Sequence, residues 1–206
     1  MRTIGSKGEN TEMALRKAGV QLIAQHGYEA VSLRMLAKEV GIQAGSLYNY
    51  ISNKQQFLFD LLASIIRDLL EEMTQALEGL TDPSERMRVF IRLHIDFHTR
   101  RKEEVFIGNM ELRSLTPENA DAIRQMRDEY EGILRAIIRD GCEVGQFRCT
   151  DPAIVKLAII TMLTAIATWY RPEGRRKIET LTAEYTTLVF LMLRADGAEP
   201  NTLAAE

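Results

Sequence analysis

The fold is decided by the stretch Val31–Phe57, which reads VSLRMLAKEVGIQAGSLYNYISNKQQF. Ser32 can cap a short helix, because its hydroxyl can accept from the first free backbone N–H groups. Apolar residues then recur at helical spacing, and Gly41 stands where the chain must leave that helix. A second short helix is predicted from about Ala44 to Ile51. A helix, a tight glycine turn and a second helix together make a helix-turn-helix.

The second of these helices has the composition of one that enters a DNA groove. Its first residues are small or polar, so its N-terminal end, which carries partial positive charge, can approach DNA closely. The alternative is a helical corner of an unrelated globular protein. The residues predicted to approach or read bases are Gln43, Ala44, Gly45, Ser46, Tyr48 and Asn49, with Arg34 a further candidate, and those predicted to hold phosphates are Ser32, Tyr50 and Lys54.

This run resembles the DNA-binding segment of the tetracycline-repressor (TetR) family of bacterial regulators. The resemblance rests on Val40-Gly41-Ile42, Ala44-Gly45-Ser46, Leu47-Tyr48-Asn49-Tyr50-Ile51 and Asn53-Lys54. The family often has Ser or Thr where Gln43 stands, so its operator sequences do not carry over. The resemblance and the helical periodicity together predict an all-α fold of about nine helices. A three-helix head would bind DNA, and a larger helical body would bind ligand and dimerise.

The charge is distributed as expected for a protein that contacts DNA with one end. The chain has 206 residues and a net charge of −3. Residues 1–54 hold seven basic and four acidic side chains, a net charge of +3, which leaves −6 on the remainder. A basic head on an acidic body suits local phosphate contact. The polar N-terminus lacks a signal peptide, and the apolar stretch Ile154–Tyr170 falls short of the ~20 residues of a membrane span, so a cytoplasmic location without membrane association is expected.

Helix start and stop signals divide the chain into segments. Residues 1–8 are predicted to be a loose arm whose Arg2 and Lys7 can touch DNA, and the first helix runs from residue 9 to 26. A long helix from Lys54 to Leu80 can act as a lever between sensing and DNA binding. Later helices are predicted at about 83–101, 103–114, 117–141, 152–170 and 178–194. The predicted domains are 1–53 for DNA binding, 54–198 for ligand binding and dimerisation, and 199–206 as a disordered tail.

The last two long helices carry more apolar surface than one contact side needs. An isologous two-fold interface between two copies is the simplest use of this surplus, although burial within one subunit is the alternative. The body is also rich in Met and aromatic residues, which can line an adaptable cavity or simply pack a core. The residues predicted to bind a ligand are Phe97, Phe106, Asn109, Met110, Arg113, Met126, Tyr130, Met162 and Trp169.

The run Trp169-Tyr170-Arg171-Pro172-Glu173-Gly174 resembles the end of the eighth helix in TetR-family members that sense acyl-CoA thioesters. Trp169 can stack on an adenine, and Arg171 can pair with phosphates. The alternative is a helix end at which Pro172 stops the helix and Trp169 seals the dimer edge.

Enzyme chemistry is not expected, because the sequence has no phosphate-binding glycine loop, nucleophile elbow or triad. His94 and His98 are spaced to share a metal, but packing is the favoured interpretation. No metal or cofactor is expected, and Cys142 and Cys149 are interpreted as reduced thiols. The expected function is that of a homodimeric transcriptional repressor, released from a palindromic operator by a small hydrophobic effector such as an acyl-CoA. The alternatives are a drug-sensing efflux repressor and a helical small-molecule-binding protein whose head contacts proteins.

Overall fold

The computed structural model describes residues 4–149 and 151–193, and within them the chain is all-α, as predicted. These residues form nine α-helices and one short 3₁₀ helix, and no β-strand. The α-helices are α1 (Ile4–His26), α2 (Leu33–Val40), α3 (Ala44–Leu47), α4 (Lys54–Leu77), α5 (Pro83–Arg100), α6 (Lys102–Met110), α7 (Pro117–Glu143), α8 (Pro152–Trp169) and α9 (Ile178–Leu193), and the 3₁₀ helix spans Glu111–Ser114.

Capping side chains fix the starts of two helices where the sequence predicts them. Ser32 Oγ accepts a hydrogen bond from the Met35 N–H at 3.2 Å and begins α2. Asp151 Oδ1 accepts from the N–H groups of Ala153 and Ile154 and begins α8. Each cap satisfies donors that have no partner inside the helix.

The first helix starts earlier than the sequence predicts. It begins at Ile4, so the loose arm expected over residues 1–8 is wrong for residues 4–8. Glycine costs about 1 kcal/mol in a helix interior but does not forbid one, and no proline interrupts this segment. Arg2 and the side chain of Lys7 lie outside the described part of the chain.

The third helix is shorter than predicted, because it ends at Leu47 and not at Ile51. The chain continues in turns, in which the Asn49 N–H donates to the Ser46 carbonyl at 3.2 Å and the Tyr50 N–H to the Leu47 carbonyl at 2.9 Å. Gly, Ser, Tyr and Asn are all weak helix formers, so no strong propensity sustains a longer helix here.

The chain divides into two compact units, whose boundaries fall inside α4, between α5 and α6, and inside α7. The first unit comprises residues up to Leu70 together with Arg101–Asp128, and the second comprises Glu71–Arg100 together with the residues from Glu129 onward. The predicted domain limits at residues 53 and 198 stay predictions, and residues 199–206 lie outside the described residues.

A small apolar core holds the N-terminal helices of the first unit together. The start of α4 packs closely against α1, because a Cβ added at Gly19 would lie 2.4 Å from the Phe57 ring. Fully burying a Leu or Ile side chain contributes about 1.5–3 kcal/mol, so a few such residues suffice to fix the three helices. The core consists of Leu15, Ala18, Leu36, Ala37, Leu47 and Ile51, each at most 5% exposed.

Helix α5 is the central helix of the second unit, where it packs against α8 and α9. Its buried side chains include two histidines, His94 and His98, among apolar neighbours. The other buried residues of these three helices include Met87, Phe90, Ile91, Ile95, Phe97, Ile159, Leu163, Ile166, Leu181, Val189 and Leu193.

Helices α8 and α9 also carry large apolar side chains on their exposed faces. Ile154 is 64% exposed and Leu157 52% on α8, and Leu188 is 46% exposed and Leu191 62% on α9.

By length and composition α8 could cross a membrane, which corrects the expectation that this stretch is too short. Of its residues, 22% are buried inside the protein. Its one charged residue, Lys156, is itself buried, with Nζ 2.5 Å from the Glu131 carboxylate.

Candidate nucleic-acid interface

The turn between α2 and α3 is built around Gly41. Its φ of +73° is a left-handed conformation that residues with a side chain rarely adopt. The Gly41 N–H donates to the Lys38 carbonyl at 3.1 Å, and the Ile42 N–H donates to the Ala37 carbonyl at 3.0 Å. These bonds satisfy the last carbonyls of α2 and fix the angle at which α3 begins.

Helix α3 is fastened on one side and open on the other. Leu47 and Ile51 anchor it in the core at 1% and 5% exposure. Gln43 stands at the N-cap position without a side-chain capping bond. A Cβ added at Gly45 would meet nothing within 4 Å, so the surface is bare there. The predicted DNA-contacting residues that lie exposed are Gln43, Ala44, Gly45, Ser46, Tyr48 (62%), Asn49 and Tyr50 (38%), together with Ser32 and Arg34 on α2's side of the turn.

Lys54, the last predicted phosphate contact, is half-buried and has partners inside the head. Its Nζ donates to the Glu29 carbonyl at 3.1 Å and lies 4.1 Å from the centroid of the Tyr28 ring. Asn53, immediately before it, caps α4 by accepting from the Gln56 N–H at 2.8 Å. An ammonium group has three N–H donors, so this arrangement positions Lys54 and leaves donors for a phosphate.

A ring of four charged side chains ties α1 to α4 and α6. Arg16 Nη2 lies 2.6 Å from Asp68 Oδ2 and 3.0 Å from Glu104 Oε2. Arg101 Nη2 lies 2.8 Å from the same Asp68 oxygen and closes the ring on Glu104. Burial alone would raise the pKa of Asp68, but the hydrogen bonds from Arg16 and Arg101 outweigh burial and hold it below its ordinary value. No local sequence pattern indicates this ring, because its members are up to 88 residues apart.

Two side chains, those of Glu111 and Gln55, join the head to the segment around the 3₁₀ helix. Glu111, which is 8% exposed, accepts from the Tyr28 N–H at 3.1 Å and from the Ser114 hydroxyl at 2.7 Å. Gln55 Nε2 donates to the Ser114 carbonyl at 2.7 Å, and Gln55 Oε1 accepts from the Thr116 N–H at 3.2 Å. The head is therefore joined to α6 and its 3₁₀ extension by directional bonds as well as by apolar packing.

Five of the predicted ligand-binding residues lie in the first unit. Phe106 and Met110 stand one turn apart on α6 and are 50% and 46% exposed. Asn109 and Arg113 are also exposed, and Met126 is half-buried. Large apolar side chains left exposed on one short helix form a surface able to accept an apolar ligand.

The other four predicted ligand-binding residues lie in the second unit. Phe97 and Tyr130 are buried at 1% and 5% exposure, and Met162 is half-buried. Trp169, at the end of α8, is 46% exposed. The exposed Trp169 is available for stacking, whereas Tyr130 already belongs to a hydrogen-bonded cluster with His94.

The two histidines of α5 form a buried polar cluster. His94 Nδ1 lies 2.8 Å from the Tyr130 hydroxyl and its Nε2 lies 3.1 Å from Thr164 Oγ1. His98 stacks on His94 with ring centroids 3.7 Å apart, and its Nδ1–H donates to the His94 carbonyl at 2.8 Å. Burial lowers the pKa of His98 to about 4 and that of His94 well below its ordinary value.

These bonds give both histidines a packing role. Among the residues that the structure describes, no three His, Cys, Asp or Glu side chains are grouped so as to hold a metal ion. Both ring nitrogens of His94 already have hydrogen-bonding partners, so a metal would have to displace them.

Comparison with protein families matches both parts of the chain. Residues 15–61 match the family described as "Bacterial regulatory proteins, tetR family". Residues 80–193, which are more than half of the chain, match "Tetracyclin repressor-like, C-terminal domain".

Individual relatives agree with the family matches. The chain is 24% identical over 171 residues to the "Fatty acid metabolism regulator protein" of Bacillus subtilis, covering 82% of this chain and 88% of the relative. It is 30% identical to the TetR-family regulator PfmR from Thermus thermophilus, with a TM-score of 0.78 and coverage of 90% of this chain and 99% of that chain.

A third relative was solved as the complex of AibR with isovaleryl coenzyme A and operator DNA. It is 27% identical to this chain, with a TM-score of 0.79 and coverage of 87% of this chain and 98% of that chain. The relatives are transcriptional regulators and not enzymes. With its helix-turn-helix head and matching C-terminal region, this chain is a member of the TetR family of DNA-binding transcriptional regulators of the repressor type.

Proposed function

We propose that the chain acts in the cytoplasm as a homodimeric repressor, which leaves a palindromic operator when an acyl-CoA thioester binds. The observation that carries the DNA-binding part is the exposed face of α3. Leu47 and Ile51 hold this short helix from below, while Gln43, Tyr48 and Asn49 project from a surface that Gly45 leaves bare. Side-chain amides and hydroxyls on such a face can hydrogen-bond to base edges and phosphates.

The exposed apolar faces of α8 and α9 support the homodimer. Ile154, Leu157, Leu188 and Leu191 would remain in water in a monomer. A two-fold interface uses the same patch on both subunits and removes all eight copies of these side chains from water. It also presents two heads, which can address half-sites about 34 Å apart, or a multiple of that distance.

The acyl-CoA effector is supported by the relatives and by the end of α8. The name of the B. subtilis relative refers to fatty acid metabolism, and AibR was solved with isovaleryl coenzyme A. In this chain the exposed Trp169 precedes the exposed residues Arg171, Arg175 and Arg176. All coenzyme A thioesters contain an adenine and phosphates. An indole can stack on the adenine, and guanidinium groups can pair with the phosphates.

The DNA-binding proposal is tested by fluorescence anisotropy with a library of palindromic duplexes at two salt concentrations. Arg34→Ala and Tyr48→Ala should each lower the affinity for the best-bound duplex about tenfold or more. Arg92→Ala is the matched control, because Arg92 is also exposed but lies on α5 in the second unit. Equal retention of all duplexes, or effects as large in the control as in Arg34→Ala, would favour a small-molecule-binding protein without a role on DNA.

The effector proposal is tested by thermal shift and by release of the bound duplex. Isovaleryl-CoA and longer acyl-CoAs are compared with free coenzyme A, free fatty acids and cationic drugs. An acyl-CoA should stabilise the protein and release DNA. Trp169→Ala should lower the affinity for that ligand about twofold to tenfold. Stabilisation by a cationic drug and by no acyl-CoA would replace this proposal with the drug-sensing alternative.

A further inference from the structure

The end of α7 and the segment before α8 bring two cysteines together in the second unit. Cys142 and Cys149 have their Sγ atoms 3.6 Å apart. Both are free thiols, and both are partly exposed, so a small solute can reach them. A disulfide has an S–S distance of about 2.05 Å, so the pair needs to close by only about 1.5 Å.

The turn between the two cysteines is well defined. Gly145, with a φ of +74°, donates from its N–H to the Cys142 carbonyl at 3.1 Å. The N–H groups of Gln146 and Phe147 both donate to the Gly141 carbonyl at 2.9 Å, which completes a glycine-terminated helix end. The Phe147 side chain is 2% exposed and lies directly over Gly141. The two thiols therefore face each other because the backbone on both sides is held in place.

We propose that Cys142 and Cys149 are a reversible dithiol site, which hydrogen peroxide converts into a disulfide within one chain. In the first step, the Cys142 thiolate attacks one peroxide oxygen and the O–O bond breaks. The released hydroxide takes up a proton to become water, and Cys142 becomes a sulfenic acid. In the second step, the Cys149 sulfur attacks the Cys142 sulfur and the S–O bond breaks. The leaving hydroxide takes the Cys149 proton, so two thiols and one peroxide give one disulfide and two waters.

The contact between the two sulfurs favours the second step. Burial, followed by the hydrogen bond and the charge of Cys142, raises the pKa of Cys149 to about 11. Cys149 therefore stays protonated at neutral pH, which suits a thiol that gives its proton to the leaving hydroxide in the second step. Cys149 resolves the sulfenic acid because its sulfur is already in van der Waals contact with that of Cys142.

The disulfide would join a point where three helices end. The Arg148 N–H, next to Cys149, donates to the carbonyl of Leu193, the last residue of α9, at 2.7 Å. Two residues after Cys149, Asp151 caps α8. Oxidation would thus fix the end of α7 covalently to the segment that leads into α8 and bonds to the end of α9. This proposal does not depend on the operator or on the effector.

The test treats the reduced full-length protein with hydrogen peroxide and follows free thiols, intact mass and the linkage of the peptide that contains residues 142–149. Both thiols should disappear with a mass loss of about 2 Da and no covalent dimer, and dithiothreitol should restore them. In Cys149→Ser, Cys142 should instead stop as a sulfenic acid, gaining about 16 Da and reacting with dimedone. Cys142→Ser, the matched variant, should likewise lose the disulfide product and its mass change of about 2 Da.

Three results would overturn the proposal. Two titratable thiols after peroxide treatment would show that the pair does not react. A covalent dimer as the main product would show that the sulfurs pair between chains. A dimedone adduct as the main product in the wild type would show that the second thiol does not resolve the sulfenic acid. Because single Cys→Ser changes can be made without touching the apolar core, circular dichroism of each variant verifies that it is folded.

Discussion

Acidification should destabilise the second unit through His94 and His98. Both imidazoles are buried, at 1% and 6% exposure, where burial disfavours the charged ring. Burial lowers the pKa of both, and the charge of His98 lowers that of His94 further. Between pH 6.5 and pH 4 the unfolded chain therefore binds protons that the folded chain does not bind. Stability is accordingly lost as the pH falls through 6.5, and for His98 the loss is complete below about pH 4.

The size of the effect follows from the pKa of His98. A change from 6.5 in the unfolded chain to about 4 in the folded chain corresponds to about 3 kcal/mol in full, of which about 2 kcal/mol is already lost at pH 5. His94 acts in the same direction and adds to this loss. A loss of 2 kcal/mol is a large part of the 5–15 kcal/mol that typically stabilises a protein, so the unfolding midpoint should shift measurably.

The measurement is urea unfolding, followed by circular dichroism, at several values between pH 7 and pH 5. The variant with His94→Asn and His98→Asn should lose most of the pH dependence in this range. His26→Asn is the control, because His26 is exposed at the end of α1 and should leave the dependence unchanged.

Proton NMR of the imidazole signals provides a second measurement that needs no variant. In the folded wild type, the two buried histidines should keep the chemical shifts of neutral rings down to pH 5. Titration of either one near 6.5, or wild-type stability that is flat from pH 7 to pH 5, would refute the reasoning.

Three further changes test the packing described above. Gly141→Ala should cost about 1–3 kcal/mol in urea unfolding, because the added Cβ would lie 2.0 Å from the buried Phe147 ring, whereas Gly132→Ala in the same helix meets nothing within 4 Å and should stabilise by up to about 1 kcal/mol. Asp68→Asn removes the charge shared by two arginines. It should lower the free energy of unfolding by about 1 kcal/mol, and this loss should disappear at high salt. Leu157→Glu places a charge on the exposed face of α8 and should shift sedimentation from dimer to monomer, while an unchanged sedimentation coefficient would place the interface elsewhere.

Helix ends with a capping residue were predictable, because local chemistry sets them. Ser32 and Asp151 begin helices, and Gly41 ends one, for reasons that involve only a few neighbouring residues. The extent of α3 was predicted less well, since the apolar spacing of Leu47 and Ile51 fits both a continued helix and the turns that are observed. Periodicity shows which side chains point inward but does not distinguish these two backbones.

The wider surroundings of the site were beyond sequence reasoning. The charge ring joins Arg16 to Glu104 across 88 positions, and nothing in the local pattern pairs them. Similarly, Phe97 and Phe106 are the same residue type and both lie on α-helices, yet one is 1% exposed and the other 50%. Only the packing of helices that are distant in sequence determines which aromatic side chains are left available to a ligand.

Within the first unit, we expect an effector to act on DNA binding through helix α6. Phe106 and Met110 are exposed on it, and Glu104 on the same helix bonds to Arg16 of α1. Glu111, which directly follows α6, accepts a hydrogen bond from the N–H of Tyr28, two residues after the end of α1. Each such hydrogen bond is worth about 0.5–1.5 kcal/mol, and a useful change in DNA affinity needs a coupling of about 1–3 kcal/mol. A ligand that acts by breaking two of these bonds must therefore bind the altered state more tightly by an amount within this same range.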